Sequence, residues 1–270
     1  LSNLQQRVLA GSAGALLLGF AIFFSPYTFG LVFLCISMLT QWELYKLLGL
    51  DGNVPMKVWG LLIGATCFVV TFCVMEGWLG YEAFFGLFPL FSMLFVLKLY
   101  RKDKKPLTDV SLTVTGVVYI ALAFSLLVVA AYKAGPAYAP WMIMGILLLL
   151  WASDVGAYFA GKAFGKRKLF ERHSPKKTWE GFAGGAATSL MVAFFLPYCT
   201  DTLSLLHWLG LSALITVTGS YGDLVESQFK RSIMIKDSGS LIPGHGGFLD
   251  RFDGLLLAAP FVVAYLHFVV

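Results

Sequence analysis

The stretch 236–254, KDSGSLIPGHGGFLDRFDG, places two aspartates, a histidine and closely spaced glycines directly ahead of an apolar run. Asp250 and Asp253 stand at i and i+3, so a helix beginning here shows both carboxylates on one face. The dipole at a helix N-terminus favours anions, and a single aspartate would read as a cap. Two of them, with Asp223 available from the end of another helix, make a donor set for a hard divalent cation. The preceding Pro243-Gly244-His245-Gly246-Gly247 cannot be regular helix. Its glycines permit positive φ and bring backbone N–H groups close to a ligand. Carboxylates beside lysines and a glycine-bearing loop suit Mg²⁺ bound together with substrate phosphates.

Two further clusters could join that chemistry. In GSYGDLVESQFKRSIMIKD, residues 219–237, Asp223, then Glu226 or Ser227, then Lys230 recur at helical spacing. They put a carboxylate, a second carboxylate or a hydroxyl, and an ammonium on one face. An ordinary solvated helix end would look similar. Gly219 and Gly222, however, thin the helix enough for another backbone or a ligand to approach. In the stretch 151–185, Asp154 falls inside an apolar segment, where a carboxylate is costly and marks function or a salt bridge to a neighbouring helix. Asp154, Tyr158 and Gly161 share a helix face. In SPKKTWEG, Ser174 reads as an N-cap and Pro175 as the first helical residue. That spacing puts Lys176 and Lys177 in the first turn, against the helix dipole. An anion bound there would compensate them. The alternative is a pair of topology signals touching lipid headgroups. GKAFGKRK lacks the spacing and the Ser/Thr of a P-loop.

The elements that must position these residues are membrane helices. Hydrophobic residues make up 58% of the 270-residue chain and charged residues 13%, where soluble domains carry about 25% charged residues. Apolar stretches of about 20 residues recur, each long enough to span a bilayer. An all-α polytopic protein follows, because helices satisfy their own backbone hydrogen bonds in lipid. The pattern predicts nine spans: 8–25, 28–43, 57–75, 82–99, 110–132, 140–161, 179–198, 204–222 and 254–270. The first reads as a retained span rather than a cleaved leader. The second is short, and Gln41 and Glu43 near its end suggest a tilted or interfacial segment. Nineteen of the 20 Lys and Arg fall in one set of alternating loops and span ends, leaving Lys133 on the other side. The asymmetry predicts a cytosolic N-terminus and accounts for the basic balance without nucleic acid. Cys35, Cys67, Cys73 and Cys199 show no metal-ligand spacing and read as small apolar fillers. Residues 1–135 read as scaffold helices. Residues 136–270 read as a catalytic region with cytosolic loops 162–178 and 223–253.

The run from Ser227 to Asp253, SQFKRSIMIKDSGSLIPGHGGFLDRFD, resembles the signature of the phosphatidate cytidylyltransferases, or CDP-diacylglycerol synthases. The matching positions are Ser227, Lys230-Arg231, Lys236-Asp237, Gly239, Pro243, His245-Gly246-Gly247, Asp250-Arg251 and Asp253. SDVGAY and SPKKTWEG upstream are similar to the same family. The resemblance covers about the last 120 residues by motif; the earlier part agrees only in its spans. It implies transfer of the cytidylyl group of CTP to phosphatidic acid, giving CDP-diacylglycerol and pyrophosphate for phospholipid synthesis. It implies Mg²⁺ paired with a monovalent cation such as K⁺. It places Asp223, Asp250 and Asp253 at the metal, with Lys230 among the catalytic residues. Lys176, Lys177, Thr178, Arg231 and Lys236 would hold phosphates, with Ser227, Asp154, His245, Gly246 and Gly247 beside the substrates. A bacterial inner-membrane location with a cytosol-facing site, lateral access from the bilayer and a homodimer complete the expectation. The rival reading is an ion or organophosphate transporter, which needs polar residues through the depth of the bilayer. Here they crowd one end of the spans. The run of spaced aspartates in a DG…AR frame, typical of CDP-alcohol phosphotransferases, does not occur.

Overall fold

A computed structural model describes residues 3–50, 52–133, 137–172, 174–235, 238–239 and 246–270. The helices are α1 (Asn3–Phe24), α2 (Pro26–Leu50), α3 (Lys57–Met75), α4 (Leu87–Leu99, preceded by a 3₁₀ turn Tyr81–Gly86), α5 (Pro106–Gly116), α6 (Leu122–Lys133), α7 (Pro140–Phe164), α8 (Trp179–Cys199), α9 (Leu205–Ser232) and α10 (Leu249–Phe268). A π-helical turn, Val117–Ala121, joins α5 to α6 in one run. Among the described residues, six helical runs are long and apolar enough to cross a bilayer: Pro26–Leu50, Lys57–Met75, Tyr81–Leu99, Pro106–Lys133, Pro140–Phe164 and Trp179–Cys199. Large apolar side chains such as Leu16, Phe88, Leu99 and Phe195 point outward, as a lipid-facing surface requires. A short antiparallel pair, β1 (Lys168–Phe170) with β2 (Ser174–Thr178), departs from the all-α plan.

The chain forms two compact units, Leu1–Val129 with Asp237–Arg251, and Ala130–Lys236 with Phe252–Val270. The glycine-bearing stretch that the sequence groups with the C-terminal half is therefore packed with the first unit.

In the first unit, Ser25 and Thr28 cap α2 reciprocally. Ser25 N–H donates to Thr28 Oγ1 and Thr28 N–H donates to Ser25 Oγ, both at 3.1 Å, with Pro26 as the first helical residue. The sequence predicts the second span to end near residue 43. The helix instead runs to Leu50, because its polar residues are buried and partnered. Gln41 Nε2 donates to Tyr45 Oη (2.8 Å) and to the Gly60 carbonyl (2.9 Å), and Tyr45 Oη donates to the Thr113 carbonyl (2.6 Å). Lys98, 5% exposed, pairs with Asp103 at 2.6 Å and with Asp109 at 2.8 Å, and Asp109 Oδ1 accepts from Val54 N–H at 2.8 Å. The apolar core around this network includes Met56, Ile63, Leu94, Val110, Val117 and Ala121. Deleting one partner of such a buried pair strands the other charge, at a cost of about 3–5 kcal/mol.

In the second unit, α7 and α8 pack through small residues. A Cβ at Gly156 would strike Thr188, and one at Gly185 would lie 2.7 Å from the Ser153 carbonyl. The close approach lets hydroxyls bridge the helices: Thr188 Oγ1 donates to the Ala152 carbonyl (2.8 Å) and Ser189 Oγ to the Leu149 carbonyl (3.1 Å). Close contact between small residues replaces the hydrophobic driving force that lipid does not supply. Trp208, fully buried, closes over Gly145.

Candidate active site

Helix α9 outlasts its apolar part and carries Asp223, Glu226, Ser227 and Lys230 on its last turns. Gly222 decides what lies opposite. A Cβ there would sit 2.5 Å from the Asp253 carbonyl and 2.8 Å from Gly254 Cα. Only glycine lets α10 come so near, and this backbone approach brings Asp253 to Asp223. Ligand atoms of Asp223, Glu226 and Asp253 fall within 4.8 Å of one another. The sequence leaves Glu226 or Ser227 open as the middle member of the face. Both converge on Asp223: Glu226 as the third carboxylate, and Ser227 through its hydroxyl, which donates to Asp223 Oδ1 at 3.2 Å. Asp154 of α7 adds to the negative field at Asp253.

Cations balance the cluster. Lys177 Nζ pairs with Asp223 Oδ2 at 2.7 Å and donates to the Ser220 carbonyl at 3.0 Å. Lys230 Nζ pairs with Glu226 Oε2 at 2.6 Å, one helical turn away. Glu226 is fully buried and Lys230 nearly so, whereas Asp223 is about two-fifths exposed. The trio is thus open on the Asp223 side. Three carboxylates with one exposed edge fit a hard divalent cation that keeps part of its shell for water or phosphate.

SPKKTWEG folds differently from its sequence expectation. Ser174 to Thr178 form β2, not the start of a helix, and α8 begins at Trp179. The N-cap is Thr178, whose Oγ1 accepts from Gly181 N–H at 3.1 Å. Pairing of Lys168 with Thr178 and of Phe170 with Ser174 holds the segment extended. Glu180 then accepts from the backbone N–H groups of Lys166 (3.0 Å) and Arg167 (3.2 Å to Oε2). Lys176 and Lys177 consequently do not oppose a helix dipole. In this extended segment Lys176 is exposed while Lys177 reaches Asp223.

The first unit holds the glycine-bearing loop. Asp250 Oδ2 accepts from Ser238 N–H at 3.0 Å and from Gly247 N–H at 2.9 Å. These bonds orient the carboxylate, whose oxygens together offer about four lone-pair sites. Gly246 has φ +83°, the left-handed conformation expected of this run. Lys236 and His245 lie outside the described residues. Arg231 is exposed, and its guanidinium donates to the Ile235 carbonyl at 3.1 Å.

Glu43 of α2 is the residue whose role the sequence does not reveal. It is 2% exposed, and its Oε2 accepts the N–H of Leu249, the first residue of α10, at 2.9 Å. A Cβ at Gly239 would lie 2.7 Å from its Oε1, and one at Gly247 would collide with its carboxylate and with Ser238 Oγ. The signal was present in the sequence as a carboxylate in an apolar stretch, but local spacing suggested an interfacial helix end instead. Its loop partners are some 200 residues away.

The chain matches the cytidylyltransferase family over residues 5–269 and belongs to that family. It is 31% identical over 269 residues to the phosphatidate cytidylyltransferase of Bacillus subtilis, covering 96% of each chain. It is 44% identical over 143 residues to that of Haemophilus influenzae, covering 51% of this chain and 50% of the relative. To that of Staphylococcus aureus it is 37% identical over 175 residues, covering 63% and 65%.

Proposed function

We propose that this chain transfers the cytidylyl group of CTP to phosphatidic acid, forming CDP-diacylglycerol and pyrophosphate. The observation that carries the reading is the Asp223–Glu226–Asp253 trio with Lys177 at its open edge, within a chain that belongs along nearly its whole length to the cytidylyltransferase family. The shared name of the bacterial relatives supports phosphatidate as the acceptor.

In the proposed reaction a phosphate oxygen of phosphatidic acid bonds to the α-phosphorus of CTP. The bond from that phosphorus to the oxygen bridging to the β-phosphate breaks, and pyrophosphate leaves. A phosphate monoester has a second pKa of about 6, so the attacking oxygen is already largely ionised near neutral pH. No protein base is needed, and positioning with charge neutralisation carries the catalysis. Asp223, Glu226 and Asp253 would hold Mg²⁺, and Asp250 is retained as a further carboxylate ligand from the family resemblance. Bound Mg²⁺, with K⁺ as its monovalent companion, would neutralise phosphate oxygens of the nucleotide. Ser227 and Lys230 orient Asp223 and Glu226 through the bonds described above. Lys177 holds Asp223 and supplies a cation at the exposed edge. Lys176 and Arg231 are exposed cations available to phosphate.

The same reading includes nine spans with a cytosolic N-terminus, a site on the cytosolic face of a bacterial inner membrane, lateral access for the lipid and a homodimer. The lysine and arginine asymmetry supports the orientation. The test is purified protein in detergent with labelled CTP, phosphatidic acid and Mg²⁺. Formation of labelled CDP-diacylglycerol is expected, and a folded preparation that forms none refutes the reading.

A further inference from the structure

Apart from Lys176 and Lys177, the β1–β2 hairpin and its flanks carry a surface that the transferase chemistry leaves unused. Between Lys162 and Thr178 the sequence holds seven basic residues and one acid, Glu171. Lys177 is engaged by Asp223. Glu180, just beyond, spends its carboxylate on the backbone N–H groups of Lys166 and Arg167, so it shapes the loop and leaves their side chains exposed. Lys168 and Arg172 are exposed as well. Three aromatic rings accompany these cations: Phe164, Phe170 and Trp179 are 70%, 45% and 55% exposed. In β1 both Lys168 and Phe170 are exposed on either side of the half-buried Leu169, so a cation and a ring stand close together on the hairpin.

The hairpin's place in the chain narrows what this surface can meet. Phe164 is the last residue of α7 and Trp179 the first of α8. Both helices are long and apolar enough to cross a bilayer, so these two rings stand where the spans leave the hydrocarbon. Aromatic rings concentrate at that depth, and Lys and Arg beside it are drawn to anionic headgroups. A hairpin standing free in water would expose the rings at a cost and leave its exposed cations outnumbering the neighbouring acids Glu171 and Glu180. Laid on the membrane, it satisfies both.

We propose that the β1–β2 hairpin is an interfacial arm that lies on the bilayer and gathers anionic lipid phosphate, with Phe164, Phe170 and Trp179 at the headgroup–acyl boundary. The substrate-gathering role rests on the transferase reading; the membrane docking does not. Each basic side chain at an anionic surface is worth about a fivefold change in local lipid enrichment.

Two measurements on the full chain in nanodiscs test it. In the first, the four native cysteines are replaced and Phe170→Cys carries a nitroxide. Oxygen accessibility exceeding that of a water-soluble nickel probe is expected in phosphatidylcholine discs containing phosphatidylglycerol, and the excess should shrink at high salt. A label with the accessibility of a water-exposed site in the same discs overturns the docking. In the second, Lys166→Gln, Arg167→Gln and Lys168→Gln are combined and turnover is followed by surface dilution of phosphatidic acid. The surface KM for the lipid is expected to rise about fivefold per charge removed, with kcat and the KM for CTP unchanged. An unaltered lipid KM overturns the gathering role. If the triple variant does not fold, Lys168→Gln alone gives the same readout. Failure of the wild-type chain to form CDP-diacylglycerol removes the transferase reading while the nitroxide measurement still decides the docking.

Discussion

Glu43→Ala offers a demanding test of how α2 holds the loop that orients Asp250. The substitution removes the acceptor of the Leu249 N–H at the start of α10 and empties the space against Gly239 and Gly247. A buried N–H left without its acceptor costs about 1–3 kcal/mol. If that energy is drawn from the ordered arrangement of residues 246–250, its population relative to disordered forms falls roughly 5- to 150-fold. Asp250 feels the change because Gly247 N–H, which orients its carboxylate at 2.9 Å, belongs to the same loop. Glu43→Gln is the control: the amide oxygen can still accept from Leu249, so most of the loss seen in Glu43→Ala should be recovered. The assay is kcat and KM for CTP in detergent, beside amide hydrogen exchange of residues 246–250. Faster exchange and a lower kcat in Glu43→Ala, largely restored in Glu43→Gln, are expected. Wild-type kcat together with wild-type exchange protection in Glu43→Ala would refute the reasoning.

Asp223→Asn and Asp253→Asn should each lower turnover more than about a hundredfold, since outer partners of metal ligands alone cost 10–100-fold; Mn²⁺ binding followed by electron paramagnetic resonance should weaken in parallel. Gly222→Ala places a methyl group 2.5 Å from the Asp253 carbonyl and should cost about 1–3 kcal/mol as overpacking, read as a lower thermal midpoint in detergent together with reduced kcat. Lys98→Met strands the buried Asp109 and should destabilise by about 3–5 kcal/mol. The double variant with Asp109→Asn should recover part of the loss, as a double-mutant cycle in thermal unfolding will show. A single cysteine at position 102 should react with a membrane-impermeant maleimide only after the cytosolic face is opened.

Composition and periodicity alone determined that this chain is helical and membrane-embedded, because 58% apolar residues in recurrent runs of about 20 permit little else. Each of the nine predicted stretches overlaps a helical segment, and six helical runs among the described residues are long and apolar enough to cross a bilayer. Local spacing also put Asp223, Glu226, Ser227 and Lys230 on one helix face, because the period of 3.6 is a property of the chain itself. The motif resemblance agrees with the family to which the chain belongs. Local spacing misread SPKKTWEG. Ser-Pro is a sound helix-start signal, but cross-strand pairing with Lys168 to Phe170 overrode it and moved the cap to Thr178. Which carboxylates meet was also a tertiary decision. Asp253 joins Asp223 and Glu226 because Gly222 admits the α10 backbone, a fact of close packing between segments some 30 residues apart. Glu43 shows the limit most clearly. Its sequence neighbours are apolar and its partners lie in a loop near the other end of the chain, so only the folded structure could turn a polar residue in a span into the acceptor that seats the start of α10.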